Sequence, residues 1–379
     1  MRPVSMNDHD TPEFLASVVS GFSLPGVFAG AEPFGSGLIN DTYLGRSNDH
    51  GQKRLYVFQR LNTSVFKYPE QVMENVELVT NHIAARLRSE GAADPASRTP
   101  MLVRTRSGGS FLRDPSGAYW RAFHYIDSGA VFDIVRDAQH AYEVGRGLGR
   151  FQALVADLRP GDLHDTLPGF HRTPGYLDEF DGALKADSRK RAIGIGPELD
   201  FVSHRRSLAF LLTDHLDAGD IPLRVVHNDP KVNNIMVHKE SGKALCMLDL
   251  DTVKPGIVQF DFGDCVRSAA YPAGEDARDL DTVKIELGLF EAIAKGYVHE
   301  ANVFLTDRER MLLPLSVKVI TFELGLRFFA DHMRGDTYFR IKYPGHNLHR
   351  ARVQFRLLES IEAAEERMTS LIAGLPATR

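Results

Sequence analysis

The segment His227–Asn234, which reads His-Asn-Asp-Pro-Lys-Val-Asn-Asn, contains residue types that could transfer a phosphoryl group. Asp229 could accept the proton of a substrate hydroxyl as its oxygen attacks phosphorus, and Asn234 could bind a metal through its amide oxygen. A second carboxylate, for a metal that neutralises nucleotide phosphates, is available in Asp249 at the end of an apolar strand. Each residue alone could equally be a turn residue, a helix cap or a strand-end carboxylate. Their joint occurrence between apolar strands favours catalysis.

Three neighbouring residues have more open roles. The ammonium group of Lys231 could reach the transferring phosphoryl group, although a solvated loop lysine is the alternative. His227 is expected to buttress the loop rather than to take part in the chemistry. Asp251 could bind or orient the metal, or could be a structural carboxylate at the end of its strand.

The elements that must position these groups change character along the chain. The first third reads as strands with one helix, which Pro69 opens and whose apolar residues recur at helical spacing. Strands are expected at Arg54–Leu61, Met101–Thr105 and Tyr119–Ile126 in this part, and later at Leu223–Val226 and Ala244–Leu250 around the motif. Helices are expected at His140–Ala156, Tyr176–Lys190, Leu199–His215, Ala277–Val298, Arg308–Met333 and Ala351–Ile372. The pattern predicts an α+β, bilobal fold with a β-rich lobe (1–126) and a mostly helical lobe (127–379).

Composition narrows the classes of function. A chain of 379 residues is long for one domain, and its formal net charge of -5 gives no general attraction to nucleic acid or an anionic membrane. Its two cysteines, Cys246 and Cys265, do not form a disulfide framework and suit a reducing compartment. The polar start of the sequence lacks a signal-peptide core, and no apolar run is long enough to span a membrane. We therefore expect a cytoplasmic protein without nucleic-acid or membrane partners; its oligomeric state is left open.

The motif His-x-Asp-x-x-x-x-Asn resembles the signature of aminoglycoside phosphotransferases and choline kinases, which are relatives of the protein kinases. The resemblance implies a kinase-like fold that uses ATP and Mg²⁺, with Asp229 as general base and Asn234 and Asp249 as Mg²⁺ ligands. It also implies that Asp261, in Phe260-Asp261-Phe262-Gly263-Asp264, belongs to a structural loop that braces the catalytic loop.

The stretch Gly35–Asn40 resembles the kinase Gly-x-Gly-x-x-Gly loop, with Asn in the third place. Glycines let backbone N–H groups approach phosphates closely, although an ordinary hairpin turn is the alternative. The nucleotide-binding candidates in this region are Gly35, Gly37, Asn40 and Thr42.

The strand segment Val57-Phe58-Gln59-Arg60 occupies the place where a protein kinase carries its phosphate-binding lysine. Successive strand residues face opposite sides, so only one of Gln59 and Arg60 can replace that lysine. We favour Arg60, paired with Glu74 or Glu77 on the following helix. Further on, Phe123–Ile126 resembles the hinge whose backbone holds adenine, with His124 and Ile126 as the candidates.

From about residue 34 to 362, several stretches resemble bacterial N-acetylhexosamine 1-kinases. They are 37–43, 59–66, 73–76, 168–174, 227–234, 248–253, 335–339 and 344–348. The resemblance implies that a free N-acetylhexosamine is phosphorylated on its anomeric hydroxyl group. The small-molecule sugar would be bound by His171, Arg327, Asp331, Tyr338, His346 and Asn347. Arg327 and Asp331 could instead form an ion pair on one helical face.

Alternatives remain at this stage. The acceptor could be another sugar, an aminoglycoside or choline, although no acidic cluster or aromatic cage is evident for the two cations. A non-catalytic binding protein with a kinase fold is a further possibility, against which the intact Asp229, Asn234 and Asp249 argue.

Overall fold

The computed structural model describes residues 11–35, 39–187 and 189–376. The chain forms two compact units. The first comprises the residues up to Gly129 together with Leu163–Leu167 and Leu248–Val253, and the second comprises Ala130–Asp162, Pro168–Met247 and the residues from Lys254 onward. Two short segments from later in the chain therefore fold with the first unit.

The first unit is built on a five-stranded sheet in the order β1-β2-β3-β5-β4. Its strands are β1 (Val27–Pro33), β2 (Asp41–Asp49), β3 (Gln52–Arg60), β4 (Leu112–Arg113) and β5 (Tyr119–His124), and its neighbouring strands pair antiparallel. Two helices accompany the sheet, α1 (Pro12–Val19) and α2 (Pro69–Ser89). A short strand, β6 (Gly129–Ala130), follows along the chain.

The two faces of the sheet in the first unit pack against different helices. Tyr56 and Phe58 of β3 and Trp120 of β5 pack with α1 in one buried cluster. The alternate residues point to the opposite face, where Leu61 and Tyr119 pack against Met73 of α2. The pleat therefore decides which side chains of β3 and β5 face α2.

The second unit is mostly helical. Its helices are α3 (Ala138–Val155), α4 (Thr173–Ala186), α5 (Gly196–Arg205), α6 (Leu211–Asp217), α7 (Val258–Ala269), α8 (Leu287–Ala301), α9 (Asp307–Met311), α10 (Leu313–Arg334) and α11 (His346–Ala373). Strands β7 (Arg224–Val226) and β10 (Lys254–Gly256) form an antiparallel pair, as do β8 (Ile235–His238) and β9 (Ala244–Met247).

Two packing arrangements hold the second unit together. Apolar residues of α4, α10 and α11 share one buried cluster, which includes Phe180, Phe329 and Phe355. Helices α3 and α8 approach each other so closely that a Cβ atom on Gly145 would lie 2.0 Å from the carbonyl oxygen of Ile293. This crossing requires glycine at that position.

The predicted α+β class is confirmed, and the differences from the expected elements have local causes. The helix expected at Arg308–Met333 is divided into α9 and α10 because Pro314, which lacks an N–H group, lies in the first turn of α10. The helix expected from Ala277 begins only at Leu287, because the Asp279 side chain accepts a hydrogen bond from the Asp281 N–H group and stabilises a turn. The strand expected at Met101–Thr105 is reduced to isolated bridges.

Cys246 and Cys265 are free and buried, as expected. Burial raises the pKa of Cys246 to about 12, so its thiol stays protonated at neutral pH. Among the residues that the structure describes, no helix is long and apolar enough to cross a membrane.

Candidate active site

The segment His227–Asn234 lies in the second unit, between β7 and β8. Strand β7 ends at Val226, and a 3-10 turn over Val232–Asn234 leads into β8. Within the loop, Asn228 has a φ of 66°, in the left-handed region that non-glycine residues rarely adopt. Because such a conformation costs free energy, the surrounding contacts must hold it.

Asp261, in the first turn of α7, holds the beginning of this loop. Its two carboxylate oxygens accept the backbone N–H groups of His227 at 2.8 Å and Asn228 at 2.7 Å. Gln152 of α3 donates to it as well, at 2.8 Å. Burial raises the pKa of Asp261 by more than these hydrogen bonds and the adjacent His227 lower it. The predicted bracing role of Asp261 is confirmed, although the residue lies in a helix rather than a loop.

The carboxylate of Asp229 is held from two sides. Lys231 donates its Nζ–H to Oδ2 at 2.7 Å, and Asn234 donates its Nδ2–H to the same oxygen at 3.1 Å and to the Asp229 carbonyl oxygen at 2.8 Å. The Asp229 side chain is 27% exposed, so a substrate hydroxyl group can reach it. His227 is fully buried, and its Nδ1 accepts the Asp229 N–H group at 3.3 Å, which fits the expected buttressing role.

These contacts orient the amide of Asn234. Since its nitrogen donates to Asp229, its carbonyl oxygen points in another direction and has the hard-donor chemistry that Mg²⁺ prefers. Within the described ranges, no group of three or more His, Cys, Asp or Glu forms a metal-binding cluster. The expected role of Asn234 as a metal ligand stays a prediction.

Asp249, the second expected metal ligand, belongs to the segment Leu248–Val253 of the first unit. Its φ of 57° is also left-handed, and a 3-10 turn over Leu250–Thr252 follows it. The segment is anchored beyond this turn, where Asn75 of α2 donates to the Val253 carbonyl oxygen at 3.1 Å.

Asp251 provides the second anchor of this segment. One carboxylate oxygen contacts the guanidinium group of Arg121, and the other accepts from Asn40 Nδ2 at 2.7 Å. Both side chains of the ion pair are almost completely buried, with exposures of 2% and 1%. The structural alternative for Asp251 therefore holds, and Asp251 connects the segment that carries Asp249 to the sheet.

Arg60 does not occupy the position that the sequence suggested. It pairs instead with its cross-strand neighbour Asp41, donating from Nε at 2.8 Å. The pleat places Arg60 on the same side as Tyr56 and Phe58, whereas Gln59 faces the α2 side. The expected orientation of Arg60 toward α2 is therefore not what the structure shows, and which of the two residues contacts phosphates stays a prediction.

The buried cation on the α2 face is Arg121 of β5, which lies opposite Gln59 in register. Its Nε and Nη2 atoms donate to Gln59 Oε1 at 3.0 and 2.8 Å. Sequence reasoning missed this residue. A signal was present, because an arginine between Trp120 and Ala122 in an apolar strand requires a buried partner.

The expected pairing of Arg60 with α2 is also wrong. Glu74 is exposed and accepts from His164 Nε2 at 2.6 Å, and Glu77 pairs with Arg104. Both glutamates point away from β3 because the stripe of α2 that faces the unit is apolar, with Val72, Met73 and Val76 buried.

The remaining nucleotide-binding candidates are placed as follows. Gly35 has a φ of 79°, which favours glycine, whereas Gly37 lies outside the described residues. The side chain of Asn40 is fully engaged, since its Oδ1 accepts the Asn62 N–H group at 3.0 Å while its Nδ2 binds Asp251. Thr42 Oγ1 accepts from Gln59 Nε2 at 3.1 Å.

The hinge candidates follow at the end of β5. His124 donates its backbone N–H group to the Met101 carbonyl oxygen at 3.0 Å, and Ile126 is buried. The contribution of His124 and Ile126 to adenine binding stays a prediction.

Among the sugar-binding candidates, Arg327 has the most distinctive surroundings. Its guanidinium carbon lies 5.2 Å from the ring centre of Phe170, 5.0 Å from that of Tyr176 and 5.6 Å from that of Phe339. Tyr338 is 69% exposed and is among the groups that raise the pKa of Arg327. The alternative of an Arg327–Asp331 ion pair is not what the structure shows, because aromatic rings surround the guanidinium group.

Asp331, His346 and Asn347 are buried and serve the structure of the segment after α10. Asp331 accepts the backbone N–H groups of Thr337, Tyr338 and Phe339, each at 2.9 Å. Asn347 donates to Asp331 and to Asp336, each at 2.9 Å. His346 bonds to Asp276 through Nε2 at 2.8 Å and accepts the Lys342 N–H group through Nδ1 at 3.1 Å. Most of their polar atoms thus bind the segment that carries Tyr338, while Asn347 Oδ1 has no partner within the described residues, and their contact with a sugar stays a prediction.

His171 is likewise buried, and both of its ring nitrogens are occupied. Nδ1 lies 2.8 Å from Glu323 Oε1, and Nε2 lies 2.9 Å from the Asn228 carbonyl oxygen. In this structure both nitrogens are engaged within the protein, one of them by the loop that carries Asp229, and a contact of His171 with a sugar stays a prediction.

With this geometry established, comparison identifies the class of protein. The model of the phosphotransferase enzyme family matches residues 30–297, more than half of the 379-residue chain, and the chain belongs to this family.

Solved structures share the fold at low sequence identity. An aminoglycoside phosphotransferase from Alicyclobacillus acidocaldarius is 13% identical with a TM-score of 0.63, and the match covers 99% of this chain and 100% of that one. A choline kinase from Cryptosporidium parvum is 12% identical with a TM-score of 0.58, covering 94% and 97%. A spectinomycin phosphotransferase in complex with ADP and spectinomycin is 11% identical with a TM-score of 0.55, covering 97% and 100%. These likenesses confirm the predicted kinase-like fold.

Proposed function

We propose that the protein transfers the γ-phosphoryl group of ATP to the anomeric hydroxyl group of a free N-acetylhexosamine, with Mg²⁺ as cofactor. The observation that supports phosphoryl transfer is the arrangement of the catalytic loop, in which Lys231 and Asn234 both bind one carboxylate oxygen of a partly exposed Asp229. Nucleotide use is supported by family membership and by the ADP bound in the spectinomycin phosphotransferase.

In this mechanism Asp229 accepts the proton of the anomeric hydroxyl group. The sugar oxygen then bonds to the γ-phosphorus while the bond from phosphorus to the β–γ bridging oxygen breaks, which releases ADP. Lys231 lies beside Asp229, where its positive charge orients the carboxylate and can attract the transferring group. Asn234 and Asp249 are the proposed Mg²⁺ ligands, and bound Mg²⁺ would neutralise charge on the β- and γ-phosphates.

The surroundings of Arg327 support a sugar acceptor. A neutral polyol is recognised by hydrogen-bond donors beside aromatic faces, which is the combination that Arg327, Tyr338 and the rings of Phe170 and Phe339 offer. The sequence resemblance to N-acetylhexosamine 1-kinases agrees with this chemistry. Among the sugar-binding candidates, we retain Arg327 and Tyr338.

The test is an ATP-consumption screen against N-acetylglucosamine, N-acetylgalactosamine, other free sugars, aminoglycosides and choline. We expect turnover with an N-acetylhexosamine, and a phosphorus NMR signal coupled to the anomeric proton of the product. The control is Asp229→Asn, which keeps the side-chain shape and removes the base. Turnover with choline or an aminoglycoside alone would show the sugar assignment to be wrong, and full activity of Asp229→Asn would exclude the assigned base.

A further inference from the structure

Behind the catalytic loop lies a buried pair of ionisable residues, His171 and Glu323. Asn228, which directly precedes the proposed base, adopts its left-handed backbone between two contacts. Asp261 accepts its N–H group at 2.7 Å, and His171 Nε2 lies 2.9 Å from its carbonyl oxygen. That carbonyl group is part of the peptide that leads into Asp229, so its direction affects where the carboxylate lies.

The partners of His171 determine where its protons are. Both ring nitrogens face acceptors, namely the Asn228 carbonyl oxygen and Glu323 Oε1, whereas a neutral imidazole has only one N–H group. Glu323 Oε2 in turn accepts from Thr173 Oγ1 at 2.6 Å. A proton must therefore lie between Nδ1 and Glu323. While this proton is present, the ring also carries a hydrogen on Nε2, which points to the Asn228 carbonyl oxygen. This holds whether the shared proton lies on Nδ1 or on Glu323.

Loss of this shared proton would change the arrangement. A neutral imidazole beside an ionised Glu323 gains most by directing its single N–H group to the carboxylate. The Asn228 carbonyl oxygen would then lose the hydrogen bond from His171, because Nε2 would present a lone pair to it. The hydrogen bond from His171 Nε2 to the Asn228 carbonyl oxygen thus depends on whether this shared proton is present.

The remaining surroundings favour the protonated form of His171. His171 stacks on Phe260, with ring centres 5.3 Å apart, and also contacts Phe170. Burial lowers the pKa of His171, but Glu323, the two hydrogen bonds and Asp264 of α7 outweigh it, and the net shift is upward. Lys231 lies within the electrostatic reach of Asp264, and Arg327 within that of Glu323.

We propose that His171 and Glu323 are positioning residues, which hold the Asn228 carbonyl group and thereby place Asp229 for proton transfer. This proposal rests on the function proposed above, because it concerns the base of that reaction. A misplacement of about 1 Å can cost about a hundredfold in rate. We therefore expect the pair to affect kcat and to leave the KM values for ATP and sugar nearly unchanged.

Two substitutions of His171 by side chains of similar size distinguish a positioning role from a role in filling the buried space. His171→Gln keeps an amide donor near the place of Nε2, whereas His171→Asn keeps one near Nδ1 only. We expect His171→Asn to lower kcat about 10- to 100-fold, and His171→Gln to stay within about fivefold of the unmodified protein. His140→Ala, at a buried histidine of α3, is the control for loss of a buried imidazole.

The pH dependence gives a second readout. Because the raised pKa keeps His171 protonated to higher pH, the contribution of His171 is present at low and neutral pH and is lost as pH rises through its folded-state pKa. The unmodified protein should therefore lose kcat on this alkaline limb, and His171→Gln, which cannot titrate, should not.

The outcomes are distinguishable from failure of the proposed function. Equal kcat values for His171→Gln and His171→Asn, or a loss that follows melting temperature alone as in His140→Ala, would overturn the positioning role while the kinase assignment stands. If no sugar is turned over, the proposed function fails, and nitrogen NMR of the His171 ring still tests the pair. An imidazole without an Nε2–H group at neutral pH would contradict it.

Discussion

Among the polar contacts of the first unit, we expect the ion pair between Arg121 and Asp251 to contribute most to the free energy of unfolding. In Arg121→Met, Asp251 remains almost completely buried without its cation, and Gln59 Oε1 loses two donors. Breaking a buried ion pair from one side costs about 3–5 kcal/mol. The free energy of unfolding of a small protein falls by about 2 kcal/mol for each molar of urea. The urea concentration at the midpoint of unfolding should therefore fall by about 1.5–2.5 M.

The protein contains a convenient probe for this measurement. Its single tryptophan, Trp120, is fully buried in the core of the first unit, so tryptophan fluorescence follows the unfolding of that unit. The matched control is Arg60→Met, which removes an arginine from the neighbouring strand. The partner of Arg60 is Asp41, which is 52% exposed, and such surface pairs contribute about 0–1 kcal/mol.

A double variant tests the cause of the destabilisation. If the loss comes from an unpaired buried carboxylate, then Arg121→Met combined with Asp251→Leu should regain much of the stability, because replacing both partners with apolar groups is often nearly neutral. Equal midpoints for Arg121→Met and Arg60→Met would refute the reasoning. A double variant less stable than Arg121→Met would also refute it.

Three further predictions concern activity. Asp229→Asn should lower kcat by about 10²–10⁴-fold with ADP affinity nearly unchanged in calorimetry, and a smaller effect would argue against the assigned base. Glu74→Gln should leave the KM for ATP within about twofold, because an exposed pair with His164 contributes little; a tenfold rise would place Glu74 in the nucleotide site after all. Arg327→Leu should raise the KM for the acceptor by about tenfold or more at unchanged KM for ATP, as expected for loss of a charged hydrogen-bond partner. Arg334→Leu, which removes an exposed pair with Glu179, is its control, and equal effects of the two would contradict the assignment.

Where an element depends on residues that are close together in the sequence, the local pattern was sufficient to predict it. Helix α2 begins at Pro69, as predicted, and its apolar stripe is buried because Val72, Val76 and Ile83 recur at helical spacing. The bracing role of Asp261 was predicted only through the resemblance of its motif to a known family, since its partners lie 34 and 33 positions away. The break at Pro314 was missed, although a proline inside an apolar helical pattern is a local signal too.

Contacts between distant residues could not be derived from the sequence in this way. Arg121 and Asp251 are 130 positions apart, and His171 and Glu323 are 152 apart. An arginine within an apolar strand shows that a buried partner is needed, but not which of the chain's acidic residues supplies it. The pleat of β3 posed a similar problem, because one position decides whether Gln59 or Arg60 faces α2.

Several buried polar residues of this protein hold backbone segments that have unfavourable conformations. The proposed base follows a left-handed residue, Asn228, and the proposed metal ligand Asp249 is itself left-handed. Such conformations cost about 1–3 kcal/mol each and persist only where neighbouring contacts hold them. In the second unit Asp261 and His171 bind the two sides of Asn228, and in the first unit Arg121 holds the turn after Asp249 through Asp251. Apolar side chains in these places could fill the same space, but they could not bind a peptide N–H or C=O group or a carboxylate. These buried polar residues therefore fix the backbone that carries the proposed base Asp229 and the proposed metal ligand Asp249.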